Sequence, residues 1–181
     1  MAREPGKEKV VMKVLALPGR NPETESWMQA LVDGLSVGHT GARVAHYRHW
    51  DSGGDPDVAG EADRVEAGPE DLVIGKSLGT LVLLTVAGRQ GNPGAAVFIG
   101  TPLVAYEEER LQRLRDFADA TPSLFIQQTG DVTGSFAELA SALQAPGRAT
   151  LVEVPGSDHV YADTTALVRI IGGWWSALDR G

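Results

Sequence analysis

The stretch DLVIGKSLGT, residues 71–80, decides how the rest of the chain is interpreted. It begins with an apolar run of strand length, passes through Gly-x-Ser-x-Gly and continues into a segment that predicts a buried helix. Ser77 would then occupy a strained turn between the two, and Gly75 and Gly79 would prevent collisions with the neighbouring backbone. The pattern predicts a nucleophile elbow, with the N–H of Leu78 aimed at a developing oxyanion.

A phosphate-binding loop is the alternative interpretation, because Gly75-Lys76-Ser77 imitates the end of a Walker A motif. That motif requires a glycine five positions before its Gly-Lys pair, where this chain has Glu70. The residues between would also have to form the loop, whereas 72–74 have the composition of a strand. We therefore favour the elbow over the phosphate loop.

The composition is that of an ordinary globular protein: 181 residues, 43% hydrophobic and 22% charged. We expect one domain over residues 1–181, with residues 1–8 as a loose polar segment. The net charge of −8 and the lack of a basic cluster interleaved with aromatic residues argue against a nucleic-acid partner. The absence of cysteine excludes a thiol nucleophile, a disulfide framework and a zinc–thiolate site.

One apolar run near the start, residues 10–17, is the only candidate for a membrane or targeting segment. Lys13 interrupts it, it is too short to span a bilayer, and no signal-peptide cleavage site follows it. The sequence therefore predicts a soluble, cytoplasmic protein with no membrane partner.

Six apolar segments alternate with helical segments and predict one parallel sheet with helices on both faces. The strands are expected over 10–17, 42–50, 71–75, 95–100, 123–128 and 150–154. Helices are expected over 57–66, 107–119 and 135–143, and another is expected to pass through 81–84. Two more are expected to begin at caps, one at Glu23 or Thr24 and one at Asp163 or Thr164. The second strand is the most mixed in polarity, so it belongs at an edge, outside the first, which lies beside the third. The carboxyl ends of all strands then meet at one edge, where ligands bind.

The loops at that edge offer partners for Ser77. Of the four histidines, only His159 lies in a loop directly after a late strand, and Asp131 follows the fifth strand. The chain order Ser, Asp, His is the order that accompanies a nucleophile elbow. Asp158 is the other candidate acid, but neighbouring side chains rarely converge on one ring nitrogen. Asp131 therefore ranks first, and Asp158 is expected to fix the loop.

Each of these assignments has a structural alternative. Asp131 could instead cap a helix that begins after it, and His159 could be a surface histidine. His46 and His49, on or near the edge strand, are expected to be structural or surface groups.

Five segments at strand exits resemble the α/β-hydrolase family, and more narrowly its small bacterial members built from a minimal core. They are Leu17-Pro18-Gly19-Arg20, Gly75-Lys76-Ser77-Leu78-Gly79-Thr80, Ile99-Gly100-Thr101-Pro102, Thr129-Gly130-Asp131 and Gly156-Ser157-Asp158-His159. The resemblance spans nearly the whole chain. Two features depart from it: residues before Val10 do not predict the family's usual first hairpin, and only residues 101–107 stand where most members insert a lid.

The resemblance implies a three-layer α/β-hydrolase fold with a mostly parallel six-stranded sheet, helices on both faces and no substantial lid. It implies that Ser77 attacks a carbonyl, that His159 moves the proton, and that Asp131 orients the imidazole. Such chemistry on an ester or thioester proceeds through a covalent acyl-enzyme intermediate, with no metal or organic cofactor. An acyltransferase and a non-catalytic binding or scaffold protein on the same fold are the alternatives.

The resemblance also implies an oxyanion hole formed by backbone N–H groups, those of Leu78 and of Gly19 or Arg20. Candidates to line the substrate site are Lys76, Thr101 and Pro102. For Lys76, a solvated side chain is favoured over contact with an anionic substrate or pairing with an acid. The partner expected is a small-molecule ester or thioester, and the sequence does not indicate an oligomeric state.

Overall fold

The computed structural model describes residues 12–35, 39–69, 71–144 and 147–178. Its strands are β1 (Met12–Leu17), β2 (His39–Val44), β3 (Leu72–Lys76), β4 (Ala95–Ile99), β5 (Ser123–Gln128) and β6 (Ala149–Val154). They form one sheet in the order β2-β1-β3-β4-β5-β6, and every neighbouring pair is parallel. The predicted six-stranded sheet is confirmed, and it is parallel throughout. The segment expected over residues 1–8 lies outside the described residues.

Helices cover both faces of this sheet. They are α1 (Glu23–Gly34), α2 (Arg48–Ser52), α3 (Val58–Ala62), α4 (Leu78–Gln90), α5 (Glu108–Ala120), α6 (Phe136–Leu143) and α7 (Thr164–Leu178). Helices α3 to α6 pack on one face, and α1 and α7 pack on the other. No helix in the described ranges is long and apolar enough to cross a membrane.

Two hydrophobic cores result from the alternation of side chains along each strand. On β4 and β5, Phe98 and Phe125 stack with ring centroids 4.5 Å apart beneath α5, whereas Val97 and Leu124 face α1 and α7. Every residue of β3, β4 and β5 is buried, as expected for central parallel strands. Each fully buried side chain of this size contributes about 1.5–3 kcal/mol.

The second strand occupies its expected place but not its expected range. Among the residues that the structure describes, β2 pairs only with β1, and β1 lies between β2 and β3, which confirms the predicted order at this edge. The expected range 42–50 was wrong, because β2 ends at Val44 and the chain turns into α2 at Arg48. The Arg48 N–H donates to the buried carboxylate of Glu61 over 2.7 Å, which favours a helix start over further strand.

Both histidines near this edge lie outside the strand. His49 is buried in α2, in agreement with a structural role, and His46 is exposed between Glu25 and Asp51. Hydrogen bonds that the His46 ring donates to both carboxylates, that of Asp51 first, raise the pKa of His46.

Of the two predicted helix N-caps, the one at the start of α7 is present and the one at the start of α1 is not. The carboxylate of Asp163 accepts the N–H of Ala166 over 2.9 Å at the start of α7, as predicted. The cap predicted at Glu23 or Thr24 was wrong, because α1 follows Pro22 and has no side-chain cap. Backbone carbonyls serve instead, because the oxygens of Asn21 and Pro22 accept the N–H groups of Thr24 and Glu25, each over 3.0 Å.

Candidate active site

Ser77 stands on the turn between β3 and α4, with φ 51° and ψ −115°. Such a backbone conformation is strained for a residue other than glycine and persists only where its surroundings enforce it. A Cβ on Gly75 would lie 2.7 Å from the carbonyl oxygen of Gly79, and a Cβ on Gly79 would overlap the carbonyl oxygen of Leu17. Only glycine fits at both positions, so the two glycines permit the turn that exposes the Ser77 hydroxyl.

The start of α4 fixes this turn from the helix side. The carbonyl oxygen of Ser77 accepts the N–H of Thr80 over 2.9 Å and the Thr80 hydroxyl over 2.7 Å. Leu78 is the first residue of α4, so its N–H has no acceptor within the helix. The positive end of the α4 dipole therefore lies beside the Ser77 hydroxyl.

His159, in the loop after β6, lies between Ser77 and Asp131. Its Nε2 is 2.9 Å from Ser77 Oγ, and its Nδ1 is 2.8 Å and 2.9 Å from the two carboxylate oxygens of Asp131. The imidazole is 17% exposed, whereas the Asp131 side chain is fully buried. The structure thus brings together the serine, the histidine and the first-ranked acid of the sequence.

Asp131 is held by two residues that the sequence did not single out. Its Oδ1 accepts the N–H and the hydroxyl of Thr133 over 2.9 Å and 2.8 Å, and its Oδ2 accepts the hydroxyl of Tyr161 over 2.8 Å. Burial alone would raise the pKa of Asp131, but hydrogen bonds from His159, Thr133 and Tyr161 outweigh it and lower the pKa to about 2. Asp131 is therefore ionised at neutral pH.

A local sequence pattern could have predicted the role of Thr133 but not that of Tyr161. Thr133 follows Asp131 by two positions, a spacing at which an aspartate commonly accepts a local backbone N–H, so the sequence held a signal for it. Tyr161 reaches Asp131 across 30 positions of sequence, and no local pattern predicts that contact.

Comparisons with known proteins concern the fold that positions Ser77, Asp131 and His159. By sequence, no protein-family profile matches the chain, and no curated protein matches it significantly. The solved structures that share its fold include the following three. A protein from Pectobacterium atrosepticum described as a YdeN-like hydrolase superposes with a TM-score of 0.64 and 17% identity, over 93% of this chain and 92% of the other. The RedJ thioesterase of the prodiginine biosynthetic pathway in Streptomyces coelicolor has a TM-score of 0.66 and 12% identity, over 96% and 91%. The esterase domain of a Rhodothermus marinus protein has a TM-score of 0.62 and 17% identity, over 93% and 87%.

The chain has the α/β-hydrolase fold. The structural likeness covers nearly the full length of both chains in each comparison, and the six parallel strands account for it. Between β4 and α5, residues 100–107 hold only a 3₁₀ turn at Leu103–Ala105, so this example of the α/β-hydrolase fold has no lid at that point.

Two side chains frame the histidine loop in this α/β-hydrolase fold. The Gln128 side chain accepts the N–H of His159 and donates to Asp158, each over 2.9 Å. Asp158 also accepts the N–H of Val160 over 2.9 Å, and hydrogen bonds from Gln128 and from this N–H lower the pKa of Asp158. Asp158 thus fixes the loop, as expected.

Lys76 is buried, and the favoured interpretation of a solvated lysine was wrong. Only 5% of the residue is exposed, because the alternation along β3 directs its side chain beneath the histidine loop. Its Nζ donates to the carbonyl oxygen of His159 over 3.2 Å and lies 5.6 Å and 5.8 Å from the ring centroids of Trp27 and Tyr161. No carboxylate in the described part of the chain forms an ion pair with it. Desolvation lowers the pKa of Lys76.

The loop after β1 carries the expected oxyanion donors and lies against Ser77. A Cβ on Gly19 would be 3.6 Å from the Cβ of Ser77, so the backbone passes close to Ser77. The carbonyl oxygen of Pro18 accepts the hydroxyl of Tyr47 over 3.1 Å. The Pro18 carbonyl and the Gly19 N–H belong to one planar trans peptide. The hydrogen bond from Tyr47 therefore also fixes the direction of the Gly19 N–H, which is opposite to that of the Pro18 carbonyl.

Two further side chains hold the next peptide of that loop. The carbonyl oxygen of Arg20 accepts His49 Nε2 over 2.8 Å and Trp50 Nε1 over 2.7 Å. The Arg20 side chain itself is exposed and pairs with Asp55. Sequence analysis did not find these contacts, which join α2 to the exit of β1 across about 30 residues.

A cleft of about 480 Å³ opens beside Ser77. Its lining includes Arg20, Trp27, Lys76, Ser77, His159 and Val160. Thr101 and Pro102 do not line it: both are buried, and the N–H of Thr101 donates to the side chain of Gln127 over 2.8 Å. A larger cleft of about 630 Å³ lies at the amino ends of β1 and β3, away from Ser77.

Proposed function

We propose that the protein is a serine hydrolase that cleaves an ester or thioester through a covalent acyl-enzyme on Ser77. One observation carries the proposal: the Ser77 hydroxyl, the His159 imidazole and the Asp131 carboxylate form an unbroken series of contacts of 2.8–2.9 Å. The nucleophile of that series stands on a strained turn at the carboxyl edge of the sheet.

His159 serves first as the base. With its Nδ1–H donated to ionised Asp131, its Nε2 is free to accept the proton of the Ser77 hydroxyl as Oγ attacks the carbonyl carbon. The carboxylate stabilises the imidazolium that forms. The imidazolium then protonates the departing alcohol or thiol, which leaves the acyl group on Ser77. A water molecule, deprotonated by His159, attacks the acyl-enzyme. The imidazolium then returns the proton to Ser77 Oγ as the bond to the acyl group breaks and the acid leaves.

The oxyanion that forms in each step requires N–H donors. The N–H of Leu78 is suited to this role because it begins α4 and has no helical acceptor. The second donor comes from Gly19 or Arg20, in the loop held by Tyr47, His49 and Trp50. Loss of one such donor typically lowers kcat by about 100- to 1,000-fold.

The open cleft favours hydrolysis over the two alternatives. An acyltransferase must keep water from its acyl-enzyme, whereas here a partly exposed imidazole adjoins an open cleft. A scaffold protein would need neither the strained serine nor a buried carboxylate aligned on a histidine. The similar solved structures include esterases and a thioesterase, so both leaving groups belong to the proposal.

Labelling with a fluorophosphonate probe tests the proposal. We expect the wild type to react at Ser77, as located by mass spectrometry, and Ser77→Ala to remain unlabelled while its far-UV circular dichroism is unchanged. Equal labelling of the two, or no labelling of the wild type, would argue for the non-catalytic alternative.

A further inference from the structure

The backbone of residues 158–161, which we call the histidine segment, is strained. His159 and Tyr161 have φ values of 63° and 59°, in the left-handed region. That region is unfavourable for residues with a Cβ, and such a conformation persists only where the surroundings enforce it. Within the part of the chain that the structure describes, no hydrogen bond between two main-chain groups involves this segment. The contacts that enforce its conformation therefore come from side chains.

Side chains hold the histidine segment at both of its ends. The amino-terminal part is bound by Gln128, Asp158 and Lys76, through the contacts described for the site. The carboxyl-terminal part is bound by Trp27, on α1, whose indole N–H donates to the carbonyl oxygen of Tyr161 over 3.1 Å. This contact spans 134 positions of the sequence. Because Tyr161 is buried, water has little access to replace the indole as the donor.

The indole ring of Trp27 is itself held in place. It packs against the hydrophobic core that α1 and α7 share with one face of the sheet, and Tyr161 belongs to that core. The ammonium group of Lys76 lies 5.6 Å from the centroid of the Trp27 ring, a distance at which a cation is attracted to an aromatic face. The N–H of Trp27 is therefore presented to the Tyr161 carbonyl from a helix that is fixed by packing.

The carbonyl that Trp27 binds belongs to a residue that supports the imidazole. Tyr161 lies two positions after His159, and its hydroxyl donates to Asp131 over 2.8 Å. A shift of the Tyr161 backbone would therefore move the imidazole through the chain and the carboxylate through this hydrogen bond. Loss of the indole donor would allow such a shift, because it would remove one of the contacts that oppose relaxation of the left-handed residues.

We propose that Trp27 is a positioning residue, whose indole N–H keeps the histidine segment in the conformation that places the His159 imidazole between Ser77 and Asp131. This inference rests on the proposed function and adds a residue of α1 to the groups that serve it. A phenyl ring would fill similar space without binding the Tyr161 carbonyl, so the role belongs to the N–H and not to the ring. A displacement of about 1 Å can cost about 100-fold in rate, so a partial relaxation of the segment should cost about 10-fold.

Trp27→Phe tests the inference, because it removes the N–H and keeps an aromatic ring beside Lys76. With p-nitrophenyl acetate, kcat should fall about 5- to 20-fold while KM changes less than about two-fold, since the cleft keeps a ring but the base is misaligned. Trp175→Phe is the matched control: Trp175 packs against the same core from α7, and its replacement should leave kcat unchanged. Equal kcat values in the two variants, or a higher KM at unchanged kcat in Trp27→Phe, would overturn the positioning role.

Benzothienylalanine at position 27 separates the N–H from the ring. This amino acid has the shape of tryptophan with sulfur in place of the N–H, so it preserves the packing even where phenylalanine does not. We expect the same loss of kcat as in Trp27→Phe and a parallel loss in the rate of fluorophosphonate labelling, because both reactions need His159 to activate Ser77. Wild-type rates with this isostere would overturn the role of the N–H and leave the proposed function intact. A wild type that neither reacts with the fluorophosphonate nor hydrolyses the ester would overturn both.

Discussion

The hydroxyl of Tyr161 donates to Oδ2 of Asp131 over 2.8 Å and accepts the backbone N–H of Gln128 over 2.9 Å. One hydroxyl therefore joins the loop after β6 to the end of β5 and to the buried carboxylate. Burial raises the pKa of the Tyr161 hydroxyl, which keeps it protonated as the donor. This relationship makes Tyr161 a positioning residue for Asp131.

Tyr161→Phe should lower kcat about 3- to 10-fold with little change in KM, because Asp131 loses a hydrogen bond that orients it. It should also raise the pKa of Asp131, so that the stabilisation by its ionised carboxylate is lost at a higher pH than in the wild type. Steady-state kinetics measures the first effect, and urea unfolding as a function of pH measures the second. Tyr106→Phe is the matched control, since its buried hydroxyl donates to Thr80 instead. Equal effects of the two variants on kcat and on the pH dependence of unfolding would remove the positioning role.

Ser77→Ala and His159→Ala should each reduce ester hydrolysis to the background rate, and the double variant should be no slower than either single one. The reason is that groups which act as a unit lose their effect together. Asp131→Ala should cost less, since Asp131 orients the imidazole and does not transfer the proton. His46→Ala, an exposed histidine paired with Glu25 and Asp51, serves as the control. Additive losses in the double variant would contradict a shared mechanism.

Asp131 should make the stability of the fold depend on pH. Its pKa is about 2 in the folded protein against an ordinary value of 3.8, so its ionised form stabilises the fold at neutral pH. That contribution, about 2 kcal/mol, is complete above about pH 5 and is lost as the pH falls through 4 towards 2. Urea unfolding of the wild type and Asp131→Asn should therefore give free energies that converge as the pH falls from 5 towards 2. A difference that stays constant over this range would show that the carboxylate charge is not its source.

Lys76→Met should separate stability from activity. Desolvation lowers the pKa of Lys76, so the charged side chain opposes folding at neutral pH, and methionine of similar length removes that cost. We expect the free energy of unfolding to be unchanged or to rise by about 1 kcal/mol, whereas kcat falls because the carbonyl of His159 loses its donor. Urea unfolding and ester hydrolysis measure the two effects. A parallel loss of both would mean that Lys76 acts mainly as a structural residue.

How much of the molecule was predictable depends on the range of the interactions involved. The central strands were predicted within one or two residues, because an apolar run between turn residues is a local property. Ser77, Asp131 and His159 were found because parallel strands bring their exits to one edge. The expectation of one domain over residues 1–181 stays a prediction.

The remaining features depend on contacts between distant segments. β2 ended early because Glu61, on another element, holds the N–H of Arg48. The roles of Tyr161 and His49 follow from hydrogen bonds across about 30 residues, and neither has a local pattern that reports it. His159 and Tyr161 have φ values of 63° and 59°, a conformation that residue type alone does not predict for histidine or tyrosine.

The short connection between β4 and α5 has a kinetic consequence. With a single 3₁₀ turn in place of an inserted segment, substrate and product reach and leave Ser77 without waiting for any part of residues 100–107 to open. Turnover should then be limited by bond making and breaking, most simply by attack of water on the acyl group, and not by a conformational gate. Added sucrose or glycerol, which slows diffusive motions in proportion to viscosity, should leave kcat unchanged.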